Sequence, residues 1–335
     1  MKVALCLLPL GLDASLGLTL TVLQSANQVL LAQGRSPLFE LVLVGHEAGS
    51  VTTGAGLPLR VEQTFAALPR PDLVLVPGAF LPDVPALEPW LERPEVLACV
   101  DWLAGLPAAR TRLAASCVGS YLLAQAGLLD GMEATTTWWL APHFRARHPQ
   151  VRLDLRRMVV DDGRCTTAGA ALAQADLLLH LVTRHAGPAV GHACARYLLL
   201  DQRPLQSRYV MVDGLARQHP QLRKAEDWVR EHLAQPITIP ALAQALHLTP
   251  RTLARRFQQT LGLSPLRFVQ QMRVDQARHL LATTHQSFEQ IAHAVGYAQP
   301  AMLRRLLRRE TGSSPSEMRQ RVAAPGAART KVGLR

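Results

Sequence analysis

Residues 1–200 alternate short, continuous apolar runs with longer stretches of helical period. VALCLL (3–8), FELVLVG (39–45), DLVLVPG (72–78) and TRLAAS (111–116) are apolar or β-rich without a polar alternation. That is the pattern of parallel strands covered on both faces. Between them, residues 16–33 and 84–105 are predicted to be helices. A further strand near 158–161 and helices over 170–185 and 188–200 complete the set. The resulting βαβα order predicts a doubly wound, flavodoxin-like α/β domain. Residues 201–221 carry two prolines and show no period, whereas from Lys224 onward the pattern is helical throughout. We therefore expect an α/β domain at 1–200, a linker at 201–222, an all-α domain at 223–322 and a disordered basic tail at 323–335. A length of 335 residues accommodates two domains of about 150 each.

The all-α part repeats itself. Leu242-Ala243 recurs as Ile291-Ala292 at an offset of 49, and Pro250, Arg255, Gly262 and Ser264-Pro265 recur as Pro300, Arg305, Gly312 and Ser314-Pro315 at an offset of 50. The second copy thus has one more residue in its turn. Each copy reads as helix, turn, helix, glycine and Ser-Pro, which is the helix-turn-helix plan. In the first, residues 239–246 form a positioning helix with Leu242, Ala243 and Leu246 on its buried stripe. Thr249 is suited to cap the next helix and Pro250 to open it. Leu253, Phe257 and Leu261 then face the core, leaving Arg251, Thr252, Arg255, Arg256, Gln258 and Gln259 outward. In the second copy, residues 288–295 are the positioning helix. Residues 300–310 are the recognition helix, with Leu303 and Leu307 inward and Arg304, Arg305, Arg308 and Arg309 outward. Between the copies, residues 265–282 form a spacer helix with Leu266, Val269, Met272, Ala277 and Leu280 at helical spacing. Held rigidly, two recognition helices would enter successive major grooves about 34 Å apart.

Charge sharpens this reading. Of the 36 Lys+Arg and 25 Asp+Glu that make the net charge +11, residues 216–335 hold 19 and 7. The excess positive charge therefore belongs to the helical part alone, as expected of a polyanion partner. Arginine can fork onto guanine O6/N7 and glutamine onto adenine in the major groove. The expected DNA-contacting residues are Arg251, Thr252, Arg255, Arg256, Gln259, Gln299, Arg304, Arg305 and Arg308. The runs LAQALHLTPRTLARRFQQTLGLSP, MRVDQARHLL, FEQIAHAVGY and LRRLLRRETGSSP, over about 100 residues, resemble the DNA-binding domain of the AraC/XylS family. The chain departs from the family's usual residues at Leu303 and Leu307, where phenylalanine is common, and at His247, where glycine is common in the first turn.

The α/β part holds the chain's main candidate for covalent chemistry. After the strand at 111–116 come Cys117-Val118-Gly119-Ser120 and a helix, so Cys117 occupies a strand-to-helix elbow where backbone N–H groups could stabilise a thiolate or an oxyanion. A buried packing cysteine is the blander reading of the same residue. SCVGSYLLAQAGLLDGMEATTTWW (116–139) and TTAGAALAQADLLLHLV (166–182) resemble the ThiJ/PfpI branch of class I glutamine amidotransferase-like domains, in the version that precedes AraC-type modules in GlxA-like regulators; the Ala26-Asn27 pair, read as the end of the first helix, fits as well. The resemblance implies a base beside the cysteine, usually histidine, in the place held here by Thr137, and threonine accepts no proton near neutral pH. The expectation is a former active site used for sensing, lined by Asp13, Gly78, Cys117, Thr137 and Trp138, with no catalytic residue; His143 is the nearest alternative base.

The remaining signals exclude rather than propose. MKVALCLLPL carries one Lys, is interrupted by Pro9 and lacks an Ala-x-Ala site, so it reads as a first strand and not a signal peptide. No stretch approaches the roughly 20 apolar residues of a membrane span. Cys6, Cys99, Cys117, Cys165 and Cys194 are odd in number and scattered, arguing against a disulfide framework or a zinc site. No cofactor or metal is expected, and the cytoplasm is the expected compartment. The leading expectation is a sequence-specific transcription regulator, an activator, whose partners are double-stranded DNA, a small-molecule effector, a second copy in a homodimer and RNA polymerase. The competing one is a cysteine-dependent hydrolase or amidase tethered to DNA.

Overall fold

The structure is a computed structural model that describes residues 1–335 except 69, 202, 204–205, 207–219, 262, 312–313 and 324–335, with backbone alone at 220–221, 259–260, 311 and 320–323. The expected basic tail beyond Ala323, most of the expected linker, and the helix-ending Gly262 and Gly312 lie outside the described residues. The chain divides into two units, Met1–Val210 and Met211–Arg335.

The first unit is built on β1 (Lys2–Cys6), β2 (Glu40–Gly45), the hairpin β3 (Gly49–Thr52) and β4 (Pro58–Val61), β5 (Gln63–Thr64), β6 (Leu73–Val76), β7 (Arg112–Ser116), the short pair β8 (Glu133–Ala134) and β9 (Arg152–Leu153), β10 (Val159–Asp162) and β11 (Cys165–Ala168). Seven of these make one sheet in the order β10-β11-β7-β6-β1-β2-β5. Its pairings are parallel except for the edge strand β10, which runs antiparallel to β11. Strand alternation splits the central side chains between two cores. Ala4, Cys6, Val74, Val76, Leu113 and Ala115 face one side; Val3, Leu5, Leu73, Leu75 and Ala114 face the other. This two-sided burial is why the strands read as unbroken apolar runs. Helix α1 (Asp13–Ala32) covers the second face with α6 (Ala173–Ala186) and α7 (Pro188–Tyr197). Helices α2 (Val84–Leu91), α3 (Pro94–Gly105), α4 (Gly119–Gln125) and α5 (Ala141–Arg147) cover the first.

Four points differ from the expected pattern. Residues 84–105 are two helices, because Pro94 has no N–H to continue a helix and instead opens the next one. Asn27 lies inside α1 and not at its end, where its side chain accepts from the N–H groups of Leu38 and Phe39 and so pins the return to β2. The strand β11, CTTA, lies in the interior of the sheet although only two of its residues are apolar. Of the segment 201–222, Arg203 and Gln206 are hydrogen-bonded to the α/β unit, and a helix begins at Pro220.

The second unit opens with helix Pro220–Glu231 and follows the expected plan. Thr238 caps helix Ile239–Ala245, accepting from the Ala241 N–H at 3.3 Å. Thr249 does the same for helix Pro250–Leu261, accepting from Thr252 N–H at 3.2 Å. Ser264 caps the spacer Pro265–Thr283, and Ser287 with Gln290 forms a reciprocal capping box on Phe288–Ala294. Helices Pro300–Thr311 and Pro315–Ala323 complete it. The spacer's seam is rotated from the predicted one. Phe268 is fully buried, with its ring edge-on to Phe257 at 4.9 Å, whereas Leu266 is 53% exposed. Pro265, Phe268, Val269 and Met272 make the buried stripe, and Leu266 falls outside it, on the exposed side of the helix.

The turn residues explain the unequal offsets. His247 has φ +54° and Gly296 φ +81°, so these two are equivalent at an offset of 49, and the extra residue of the second turn follows Gly296. A Cβ on Gly296 would lie 2.3 Å from the Leu233 carbonyl oxygen, which forbids any side chain there. Histidine can be borne at 247 at the modest cost of a left-handed non-glycine residue.

Candidate nucleic-acid interface and cysteine elbow

Both recognition helices present their basic residues to solvent. Leu253, Phe257 and Leu261 are buried, as are Leu303, Leu306 and Leu307. On the opposite faces Arg251, Arg255, Arg304, Arg305, Arg308 and Gln299 are exposed, and Thr252 and Arg256 are half-buried. The Gln259 side chain lies outside the described residues. The exposed arginines are not equivalent. Arg304 packs its guanidinium over the Phe288 ring at 5.1 Å, and Arg309 pairs with Glu310 at 2.9 Å. Arg251, Arg255, Arg305 and Arg308 have no ion pair or ring contact among the described residues.

Glu310, the single acid on the second recognition helix, is turned away from that basic face. It receives both guanidinium nitrogens of Arg267, at 2.9 and 3.3 Å, from the spacer helix. Burial raises its pKa, but the hydrogen bonds from Arg267 and Arg309 outweigh this and hold the carboxyl below its ordinary range. The acid therefore ties the recognition helix to the spacer. No sequence pattern pointed to this pair, since 43 positions separate the partners.

In the α/β unit Cys117 has φ +54°, the strained backbone of an elbow, and is 3% exposed. Its N–H donates to the Ala168 and Gly169 carbonyls at 3.1 and 2.7 Å. The turn is possible because the neighbours are small. A Cβ on Gly119 would lie 2.2 Å from the Val76 carbonyl oxygen, and one on Gly78 would lie 2.7 Å from the Cys117 Cβ. Burial pushes the Cys117 thiol up to about 11, against weaker opposing pulls from the Val118 N–H, the Thr137 hydroxyl and the Ala171 N–H. Thr137 is fully buried, and its hydroxyl lies near the sulfur without a well-aligned hydrogen-bond partner. Trp138, half-buried, sits edge-on to Trp139.

His143 is engaged elsewhere. Its Nε2 meets Glu88 Oε1 at 2.6 Å and its Nδ1 the Tyr121 hydroxyl at 3.3 Å, while Arg147 holds the other oxygen of Glu88. Asp13 opens α1 and accepts from the Thr53 hydroxyl and from the Ala55 N–H at 2.9 Å. Those bonds, Thr53 foremost, hold its carboxyl below the ordinary range. The structure therefore brings Gly78, Cys117 and Thr137 together, and commits Asp13 to the loop after β3. Sequence reasoning missed Ser120 and Thr136, whose hydroxyls donate to the Cys117 carbonyl at 2.7 and 3.0 Å, and Gln206, which reaches the same wall from beyond the sheet.

The chain matches the family model "Helix-turn-helix domain" over residues 242–321. It is 29% identical to the HTH-type transcriptional regulator CdhR of Pseudomonas aeruginosa over 88% of this chain and 86% of that protein. It is 26% identical to the regulator GlxA of Rhizobium meliloti over 61% of this chain and 63% of GlxA. Its C-terminal part is 34% identical to the transcriptional activator RhaS of an Enterobacter species, over 35% of this chain and 42% of that one. An AraC family regulator from Pseudomonas putida superposes on 59% of this chain and 98% of its own, with a TM-score of 0.50 at 23% identity, which speaks for the α/β fold. In both its parts the chain is similar to GlxA-like regulators of the AraC family.

Cys117 and Thr137 at the elbow are buried. An open cavity of about 600 Å³ lies at the ends of β1 and β2, lined by Leu10, His46, Glu47, Arg93 and Glu95 among others, and none of the five residues expected to line a ligand pocket borders it. Among the described residues no helix is long and apolar enough to cross a membrane, and no three His, Cys, Asp or Glu cluster as a metal site. The buried thiol sets a first prediction. Alkylation of Cys117 by iodoacetamide should rise with pH without a plateau up to about 11, and near neutral pH should run about a hundredfold slower than for a free cysteine of pKa 9. A plateau near pH 7 in the mass-spectrometric labelling profile would mark an activated nucleophile.

Proposed function

We propose that this DNA-binding regulator is a ligand-responsive activator whose α/β unit senses a small metabolite without transforming it. The observation that carries the non-catalytic reading is the elbow itself. Cys117 is a buried thiol with its pKa raised, Thr137 occupies the place where a base would stand, and His143 is held by Glu88 and Tyr121. A nucleophilic cysteine needs its thiolate stabilised by a neighbouring base or positive charge; burial does the reverse here. The activator reading is supported by the likeness of the helical unit to the activator RhaS.

On DNA, we place Arg251, Thr252, Arg255, Arg256 and Gln259 of the first recognition helix and Gln299, Arg304, Arg305 and Arg308 of the second against the duplex. Arg251, Arg255, Arg305 and Arg308 are the best placed to read bases, because no ion pair or ring contact described for them must break first. Arg255→Ala or Arg305→Ala should each weaken binding to a cognate site by about 1–3 kcal/mol, or roughly ten- to a hundredfold. Mobility shifts on cognate and scrambled duplexes check this; equal losses on both would reduce these residues to phosphate contacts. Run-off transcription with RNA polymerase, with and without metabolite extracts, tests the activator and sensing readings together. Output that never rises above the protein-free level would overturn activation.

A second reading, a cysteine hydrolase joined to a DNA tether, rests on the elbow's strained geometry and on the two carbonyls that hold the Cys117 N–H. The alkylation profile of Cys117 discriminates the two.

A further inference from the structure

Gln206 follows the α/β core in sequence, yet its side chain is 1% exposed. Its Oε1 accepts from the Ala170 N–H at 2.8 Å. Its Nε2 donates to the Thr136 carbonyl at 3.1 Å and reaches the Thr135 hydroxyl at 3.4 Å. Its own N–H donates to the Arg156 carbonyl at 2.8 Å. Space for the carboxamide exists because residue 169 is glycine: a Cβ there would lie 1.8 Å from Gln206 Oε1. The groups that hold the carboxamide also build the elbow. Gly169 gives its carbonyl to the Cys117 N–H, Thr136 gives its hydroxyl to the Cys117 carbonyl, and the buried, unpartnered Thr137 hydroxyl is the next residue along.

This arrangement is selective. One N–H points at the carboxamide oxygen and two oxygens face its NH₂ group. A carboxylate would set a negative oxygen against the Thr136 carbonyl, and an N-alkyl amide would lose a donor and press carbon onto those oxygens. Either mismatch leaves a buried polar group unpaired, which is costly.

We propose that this wall of the elbow is a primary-carboxamide subsite, filled here by Gln206 of the same chain, and that a small primary amide displaces Gln206 and so changes DNA binding. The displacement half rests on the sensing function proposed above. Arg203, three residues earlier, is bound to Asp176 and to the Leu172 carbonyl and keeps that anchor when Gln206 is displaced. An internal occupant competes with any free ligand, so the apparent affinity of the intact chain is lowered by the fraction of time the subsite is filled.

The test is saturation-transfer NMR of propionamide, propionate and N-methylpropionamide with the full chain. Propionamide should bind Gln206→Ala about tenfold or more tightly than wild type, with the other two compounds at least tenfold weaker. Gln206→Glu, which keeps the side chain's size but mismatches the Thr136 carbonyl, should open the subsite to the same ranking. Adding Gly169→Ala to Gln206→Ala should abolish binding, since the new methyl points into the vacated space. Lack of propionamide binding by both folded Gln206 variants, or equal binding of propionate, overturns the subsite. Mobility shifts separate the two halves. If propionamide binds Gln206→Ala but neither it nor the substitution changes operator affinity, the link from displacement to DNA binding is overturned. Operator binding by wild type that responds to no metabolite extract defeats the sensing function instead.

Discussion

Phe257→Ala should lower the stability of the DNA-binding unit by about 3–5 kcal/mol and abolish cognate DNA binding at ordinary temperatures. Phe257 is among the largest fully buried side chains, and its ring meets Phe268 of the spacer edge-on at 4.9 Å. Truncation forfeits the transfer of the ring from water, leaves a cavity between the first recognition helix and the spacer, and removes the aromatic pair, itself worth about 0.5–1.5 kcal/mol. A domain of this size has about 5–15 kcal/mol to lose. The affected helix bears Arg251 and Arg255, so loosening it costs positioning even where the unit stays folded. Urea unfolding followed by circular dichroism, with mobility shifts on the same preparations, measures both effects. A variant that unfolds with wild type would show that this helix is held by something other than its aromatic contact. The α/β unit should be unaffected, because among the described residues its apolar cores contain none beyond Leu200.

Gly119→Ala should destabilise the α/β unit by about 3 kcal/mol or more, at the upper end for overpacking. The added Cβ would stand 2.2 Å from the Val76 carbonyl oxygen and 2.9 Å from that of Pro77. Both are backbone atoms of the central strand β6 and its exit, so no side-chain rotation relieves the overlap. The start of α4 would have to move away from the sheet, carrying Cys117 with it. Gly105→Ala is the control: Gly105 ends α3 with nothing within 4 Å of where the new methyl would stand, and the substitution should change stability by no more than about 1 kcal/mol, in the stabilising direction. Equal behaviour of the two variants in thermal unfolding would mean that the elbow can relax.

The helical unit was legible in unusual detail because it is duplicated. Two copies of one pattern cross-check each other, and the offset of 49 before the turn and 50 after it located the inserted residue to the stretch after Gly296. The capping residue Thr249 acts locally, on an N–H three positions away, so its effect is written in neighbouring letters; Thr238, Ser264 and Ser287 cap their helices in the same way. The spacer was read less well. Its period was clear, but which residues of the period face inward depends on the helices packed against it, and so Phe268 displaced Leu266 from the seam.

In the α/β unit, β1, β2, β6 and β7 announced themselves by burial on both faces. β11 did not, because its threonines lie in the sheet for a reason that is not hydrophobic. Thr167 Oγ1 accepts from the Thr135 N–H, and its neighbours supply the carbonyls that bind Cys117. Asp13 shows the same limit: its place at the start of α1 was readable, but its commitment to Thr53 and Ala55 was not.

By itself the sequence determined the order and type of the main elements, the duplicated reader with its outward arginines, and the absence of histidine at Thr137. These follow from periodicity, capping and residue chemistry, which act over a few positions. Tertiary structure alone decided which arginines are engaged, through the pairing of Glu310 with Arg267 and of Arg304 with Phe288. It also decided that Cys117 is a buried thiol, and that Gln206, 89 residues further along, fills the wall behind it. Each of these depends on groups far apart in the chain meeting at hydrogen-bond or contact distance, and that information enters only when the chain has folded.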